Sequence, residues 1–167
     1  MDDRRVVAQQ IGREPRAFLR VVARCPFGLP AVTEQDPYGT DGVPFPTTYY
    51  LTCPHLVAAV SRLEAAGGVE RWSELAADDE RLRHSLEWAT AEQARIRLAL
   101  AAGRTGRDEG TSLTSGIGGS HNPDQLKCLH AHVAFALAVP GYELGARILD
   151  EVDEPWPVAC CTAVPGV

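Results

Sequence analysis

Between Cys25 and Cys53 the chain reads CPFGLPAVTEQDPYGTDGVPFPTTYYLTC, and Pro30, Pro37, Gly39, Gly42, Pro44 and Pro46 punctuate it so densely that no helix can cross it. Short alternating runs flank this stretch, and the long helical periodicities all lie beyond it. In AFLRVVARCP, Leu19, Val21, Ala23 and Cys25 alternate with Arg20, Val22 and Arg24, the period of a half-buried strand. TTYYLTCP repeats the device, with Tyr49, Leu51 and Cys53 on one face and Tyr50 and Thr52 on the other. A further short strand is expected at Ala31 to Glu34. Strands gathered in one part of the chain and helices in another predict an α+β fold, a small antiparallel sheet covered by several helices.

The helical signals are explicit. Asp2 or Asp3 can cap a first helix through Gln10, ended by Gly12 and Pro15. Pro54 suits a first helical position, with Leu56, Ala59, Val60 and Leu63 as the apolar face and Gly67-Gly68 as the stop. Val69 to Ala77 reads as a short helix. Glu80 to Ala102, with Leu82, Leu86, Ala89, Ile96 and Leu100 at helical spacing, reads as the longest. Residues 103–121 are rich in Gly, Ser and Thr and predict a mobile loop. Asn122 and Pro123 then predict the start of a helix reaching Val139, and a last one runs from Tyr142 to Asp150. The expected organisation is one α+β domain over residues 1–152 and an irregular tail over 153–167.

Composition excludes several classes. A chain of 167 residues, 45% hydrophobic, can bury one sizeable core. Its net charge is −6 and its basic residues are scattered among acids, so the footprint of a nucleic-acid binder is missing. The start, MDDRRVVAQQ, lacks the apolar core of a signal peptide, and the longest apolar run is too short to span a bilayer. The expected location is cytoplasmic. Five cysteines in a reducing compartment favour metal binding or thiol chemistry over a disulfide framework.

The run KCLHAH at 127–132 carries that chemistry. On a helix Cys128 and His132, four apart, share a face, whereas His130 points about 160° away from Cys128. If the strands ending at Cys25 and Cys53 pair, their thiols stand side by side. Together with Cys128 and His132 they make a Cys3His set suited to structural zinc. His130, His55 and Lys127 are possible additions. The competing readings are that the cysteines are ordinary buried small residues, or that Cys128 with His132, or Cys53 with another histidine, is an activated nucleophile of a cysteine- or zinc-dependent hydrolase. In the latter, GIGGSHNP would offer backbone N–H groups to an anion. The expected function is a binding or regulatory module with a zinc site, its partner an unknown protein or a small-molecule anion. The hydrolase is the alternative.

The order RCPFGLPAVT, DGVPFPTTYYLTCP, SRLEAAGG and IGGS leading into KCLHAH resembles the actinobacterial family known as domain of unknown function 501, over about Cys25 to Leu137. The resemblance implies that Cys25, Cys53, Cys128, His130 and His132 belong to its hallmark motifs. It implies no activity. A cell-division or polyphosphate context follows by association only, since members are often encoded beside a septum-formation protein and an exopolyphosphatase. Cys160 and Cys161 lie outside the resemblance.

Overall fold

The structure, a computed structural model, describes residues 2–122 and 124–160. Asp2 caps the first helix, α1 (Asp3–Ile11), by accepting the Arg5 N–H at 3.3 Å, and Gly12 closes it in the left-handed region at φ 69°. Strand β1 (Phe18–Arg24) turns at Cys25 to Gly28 and returns as β2 (Pro30–Gln35), and after the Pro/Gly-rich segment β3 (Tyr49–Leu51) pairs on the other side of β2. The sheet is antiparallel with order β1-β2-β3, and the fold is α+β as the sequence predicts.

Two expectations fail in this sheet. The strands leading to Cys25 and Cys53 are not neighbours, because β2 lies between them. Leu19 does not face the core either: it is 43% exposed, because β1 is an edge strand whose pairing shifts register at three points. Central β2 is buried along its whole length although it carries Thr33, Glu34 and Gln35. Those polar groups are satisfied locally, Glu34 by Arg20 at 2.6 and 3.1 Å and Thr33 by the Gln35 amide at 2.7 Å.

Five helices complete the architecture: α2 (Pro54–Ala65), α3 (Gly68–Asp78), α4 (Glu80–Ala101), α5 (Leu129–Ala138) and α6 (Glu143–Glu151). Pro54 opens α2 as expected, and Asp79 caps α4 by accepting the N–H groups of Arg81 and Leu82. The apolar helix α5 lies between β3 and α6. Tyr49, Phe135 and Tyr142 meet edge to face along this line, with ring centroids 5.5 and 5.6 Å apart. Close packing of α5 on α6 depends on Gly145, where a Cβ would come within 2.7 Å of His132 O and 2.5 Å of the Tyr142 ring. One main cluster of buried apolar residues extends from Val6 to Val152. No helix among the described residues is long and apolar enough to cross a membrane.

The inner face of α4 departs from its apolar pattern. After Leu82, Leu86 and Ala89 the buried positions are Gln93, Arg97 and Ala101, while Ile96 and Leu100 are only half-buried. Gln93 donates to Ser115 O at 3.0 Å, and Arg97, fully buried, donates to Ser112 O at 3.0 Å and Phe45 O at 2.9 Å. These bonds order the segment expected to be mobile, which forms two 3-10 turns, Thr111–Thr114 and Ile117–Gly119. Replacing Arg97 with Leu strips both buried carbonyls of their donor. This change is expected to cost roughly 2–5 kcal/mol. Arg97→Lys should recover little of it, since a single ammonium lacks the fork that reaches both loops. Urea unfolding of the two variants against the native chain measures the difference.

Candidate functional site

The KCLHAH motif enters the structure in a different phase from the one its spacing suggests. Helix α5 begins at Leu129, seven residues later than Asn122, because Asn122 instead accepts the Asp124 N–H at 3.1 Å in a local turn. The Leu129 N–H is then met by Glu64 Oε1 from α2 at 2.6 Å, so a carboxylate from another helix supplies the cap. Cys128 therefore precedes the helix in extended conformation (φ −157°) and makes no side-chain cap hydrogen bond. Cys128 and His132 no longer share a helical face.

His132 is fully enclosed among the core side chains. Its Nδ1 lies 2.6 Å from Tyr142 Oη, Nε2 has no hydrogen-bonding partner among the described residues, and burial pushes its pKa down to about 3. The same burial pushes the Tyr142 phenol up. Cys25 and Cys53 are both buried at one end of the sheet, but with β2 between their strands they stand two strand spacings apart, roughly 9–10 Å at the backbone. Among the described residues no group of three or more His, Cys, Asp or Glu side chains is placed to hold a metal ion. The expected Cys3His set of Cys25, Cys53, Cys128 and His132 is not gathered. The possible additional ligands are also committed elsewhere or turned outward: His55 Nε2 lies 2.6 Å from Glu154 O, and Lys127 is exposed.

His130 takes the place in the site that the spacing assigns to His132. It is half-buried, with Nδ1 3.1 Å from Glu64 Oε1 and Nε2 3.2 Å from both Ser61 Oγ and Val57 O. Cys128 and His130 form one side of a pocket of about 310 Å³. Tyr49, Tyr50 and Leu51 of β3 and Val57 of α2 form the other walls. Burial pushes the Cys128 thiol up, opposed by the amides of Ala131 and His130, so the sulfur stays protonated at neutral pH. A larger hollow of about 600 Å³ runs along α1, but it is open to solvent and edged by the exposed Arg4, Arg5, Arg13 and Glu14. It lacks the enclosed apolar walls of a ligand site.

The Gly-rich turn packs directly behind the motif. Gly118 (φ 70°) lies where a Cβ would stand 3.1 Å from the Ala131 Cβ and 3.7 Å from the Cys128 sulfur, and a Cβ on Gly119 (φ 73°) would strike Pro46 at 2.6 Å. Glycine is required at both positions by conformation and space together. Within the loop the N–H groups of Gly116, Gly119 and Ser120 are spent on Ser120 O and Gly116 O, so these three are not offered to an anion.

Residues 21–150, most of the chain and every element of this site, match the family described as "Protein of unknown function (DUF501)". The chain belongs to that family. No match is found among curated proteins or among solved structures. The DUF501 region includes Ser61 and Glu64, which sequence reasoning passed over. Their spacing from Val57, four and then three residues along α2, places all three on one helical face. That was the available signal, but only the fold brings His130 onto it.

Two outcomes follow for the DUF501 chain. A histidine kept neutral by burial binds no proton in the folded state until about pH 3, while the unfolded chain binds one near pH 6.5. His132 therefore contributes stability that is whole above pH 6.5 and lost as pH falls toward 3, with a slope approaching about 1.4 kcal/mol per pH unit. Urea unfolding across that range should show a shallower acid slope in His132→Gln than in the native chain. Since the ligand set is not gathered, dialysis of untagged protein against a chelator should leave Tm unchanged. A drop restored by zinc would reinstate a Cys3His centre.

Proposed function

We propose that this chain is a small-molecule-binding module whose ligand has an apolar body and a hydrogen-bonding end. The observation that carries this reading is the pocket of about 310 Å³ built on the motif itself, with Leu51, Val57 and Ala131 as apolar walls and Cys128 and His130 as polar groups at one side. Its volume lies at the lower end of the range typical of small-molecule sites. No lysine or arginine lines it, so an uncharged ligand suits it better than the small anion the Gly-rich loop suggested.

The walls come from elements that are fixed independently of any ligand. Tyr49 is held by Glu34, and burial together with that carboxylate pushes its phenol up to about 12, so it remains a neutral wall at any physiological pH. A pre-formed pocket binds without the cost of ordering its walls. Screening a library of uncharged apolar fragments by protein-detected NMR tests the reading. Binders should perturb the Ala131 and Leu51 amides, and Val57→Phe, which fills the space, should weaken them at least about tenfold, on the order of 1.4 kcal/mol, in a protein with an unchanged circular-dichroism spectrum. Binding that is indifferent to Val57→Phe would refute the assignment.

A further inference from the structure

The contacts of His130 give the pocket a chemistry as well as a shape. One ring nitrogen, Nδ1, faces Glu64 Oε1 at 3.1 Å, and the other, Nε2, faces Ser61 Oγ at 3.2 Å. A hydroxyl, an imidazole and a carboxylate in that order are the parts of an acyl-transfer relay, recognised by geometry and role and not by place in the sequence. Here they come from one face of α2 and the first turn of α5. We infer that Ser61, His130 and Glu64 form a hydrolytic site for uncharged carboxylic esters, with the apolar acyl part seated in the adjoining pocket. This rests on the pocket reading and adds a reaction to it.

Three features support the assignment. Ser61 is exposed, so a substrate carbonyl can reach its Oγ. Its two neighbours in the contact network, Val57 and His130, are themselves walls of the pocket, so the hydroxyl stands at the pocket's margin. Glu64 is held in place by the Leu129 N–H at 2.6 Å, which fixes the carboxylate that must orient the imidazole.

In the ligand-free chain the Ser61 hydroxyl donates to Val57 O at 2.9 Å. Rotation about the Cβ–Oγ bond redirects it to Nε2, with Nδ1–H donating to Glu64. Attack then forms the Oγ–C bond while the hydroxyl proton passes to Nε2 and the carbonyl π pair moves to oxygen. The imidazolium so formed already has acceptors for both N–H groups, Glu64 at 3.1 Å and Val57 O at 3.2 Å. Collapse breaks the ester C–O bond, and the departing alkoxide takes the proton from Nε2. Water repeats the sequence on the acyl-serine, giving its proton to Nε2 and releasing the acid as Ser61 regains its hydrogen. The sum is ester plus water to acid plus alcohol. The Ser61 N–H belongs to the helical ladder of α2 and is not free to meet the oxyanion, so turnover should be slow, since each missing oxyanion donor costs about 10²–10³ in rate.

The same contacts would also suit an inert staple between α2 and α5, and the experiment separates the two. The native chain is incubated with an alkyl fluorophosphonate and mapped by mass spectrometry, and hydrolysis of p-nitrophenyl butyrate is followed in parallel. One adduct on Ser61 is expected. Ser61→Ala should lose the adduct and on the order of a hundredfold or more of the hydrolysis. Glu64→Gln, which keeps an acceptor for the Leu129 N–H, should slow both by at least about tenfold through the misoriented imidazole. A native chain that binds apolar fragments in the pocket yet takes no adduct on Ser61, or a Ser61→Ala variant that hydrolyses the ester at the native rate, would overturn the relay and leave the binding reading intact. Absence of fragment binding would remove the pocket reading, while adduct formation on Ser61 would still sustain the relay.

Discussion

A single buried guanidinium sets the geometry of this fold. Arg97 is wholly withdrawn from solvent, and a charge so placed is tolerable only where fixed dipoles replace the water it has lost. The dipoles are the carbonyls of Ser112 and Phe45, and they belong to the two longest connections in the chain. Asp108 adds a compensating charge. Although burial pushes its carboxyl up, the hydroxyl and amide of Ser112 and the groups of Tyr38 and Gly110 outweigh that and hold it down to about 2. By pinning Phe45, Arg97 places Pro46; Pro46 presses on Gly119; and Gly118 in turn lies against Ala131 and Cys128. The segments that Arg97 joins thus pack behind Cys128 and Ala131, two residues that line the pocket.

The sheet follows the same logic of polar groups satisfied inside the core. A central strand with Thr33, Glu34 and Gln35 buried is unstable unless each has a partner; the cross-strand Arg20 and Tyr49 both serve Glu34, while Gln35 and Thr33 serve each other. Arg20 is itself mostly solvated, so the pair is a surface cation reaching over a buried carboxylate, a cheaper arrangement than burying both. Its consequence for the site is positional: Tyr49 cannot swing out of the pocket wall without leaving Glu34 short of a donor and separating from Phe135.

Local signals made the elements readable, and long-range satisfaction set the rest. Asp2, Gly12 and Asp79 act through bonds within a few residues and Pro54 through its fixed φ, and the helices they start or stop were legible. Asn122 offered an equally good local signal and misled, because Glu64, far away in sequence, supplies the cap that decides where α5 begins. That shift undid the Cys128 and His132 pairing, which assumed one continuous helix. The pairing of the strands leading to Cys25 and Cys53 failed for a related reason: strand order is not written in alternation, and β2 separates them, although Tyr49, Leu51 and Cys53 are buried on the face that alternation assigns them. The importance of the motif could be read from its composition. Which of its histidines reaches a pocket could not, since that depends on Ser61 and Glu64, ordinary residues on a helix surface until the fold brings an imidazole to them.

The contrast between His130 and His132 shows how position alone divides the roles of two identical side chains. His132 has one partner among the described residues, a phenol, and is closed off from solvent, so burial keeps it neutral and its value is packing and a bond to Tyr142. His130 has a carboxylate on one nitrogen, a hydroxyl on the other and partial access to solvent, and it lines the pocket. Enclosure makes His132 part of the core, whereas the polar partners and open side of His130 are what the proposed relay uses. The neighbouring thiol sharpens the distinction. Burial pushes the Cys128 thiol up, and the Ser61 hydroxyl lies 3.2 Å from His130 Nε2, so the proposed relay takes that oxygen as its nucleophile.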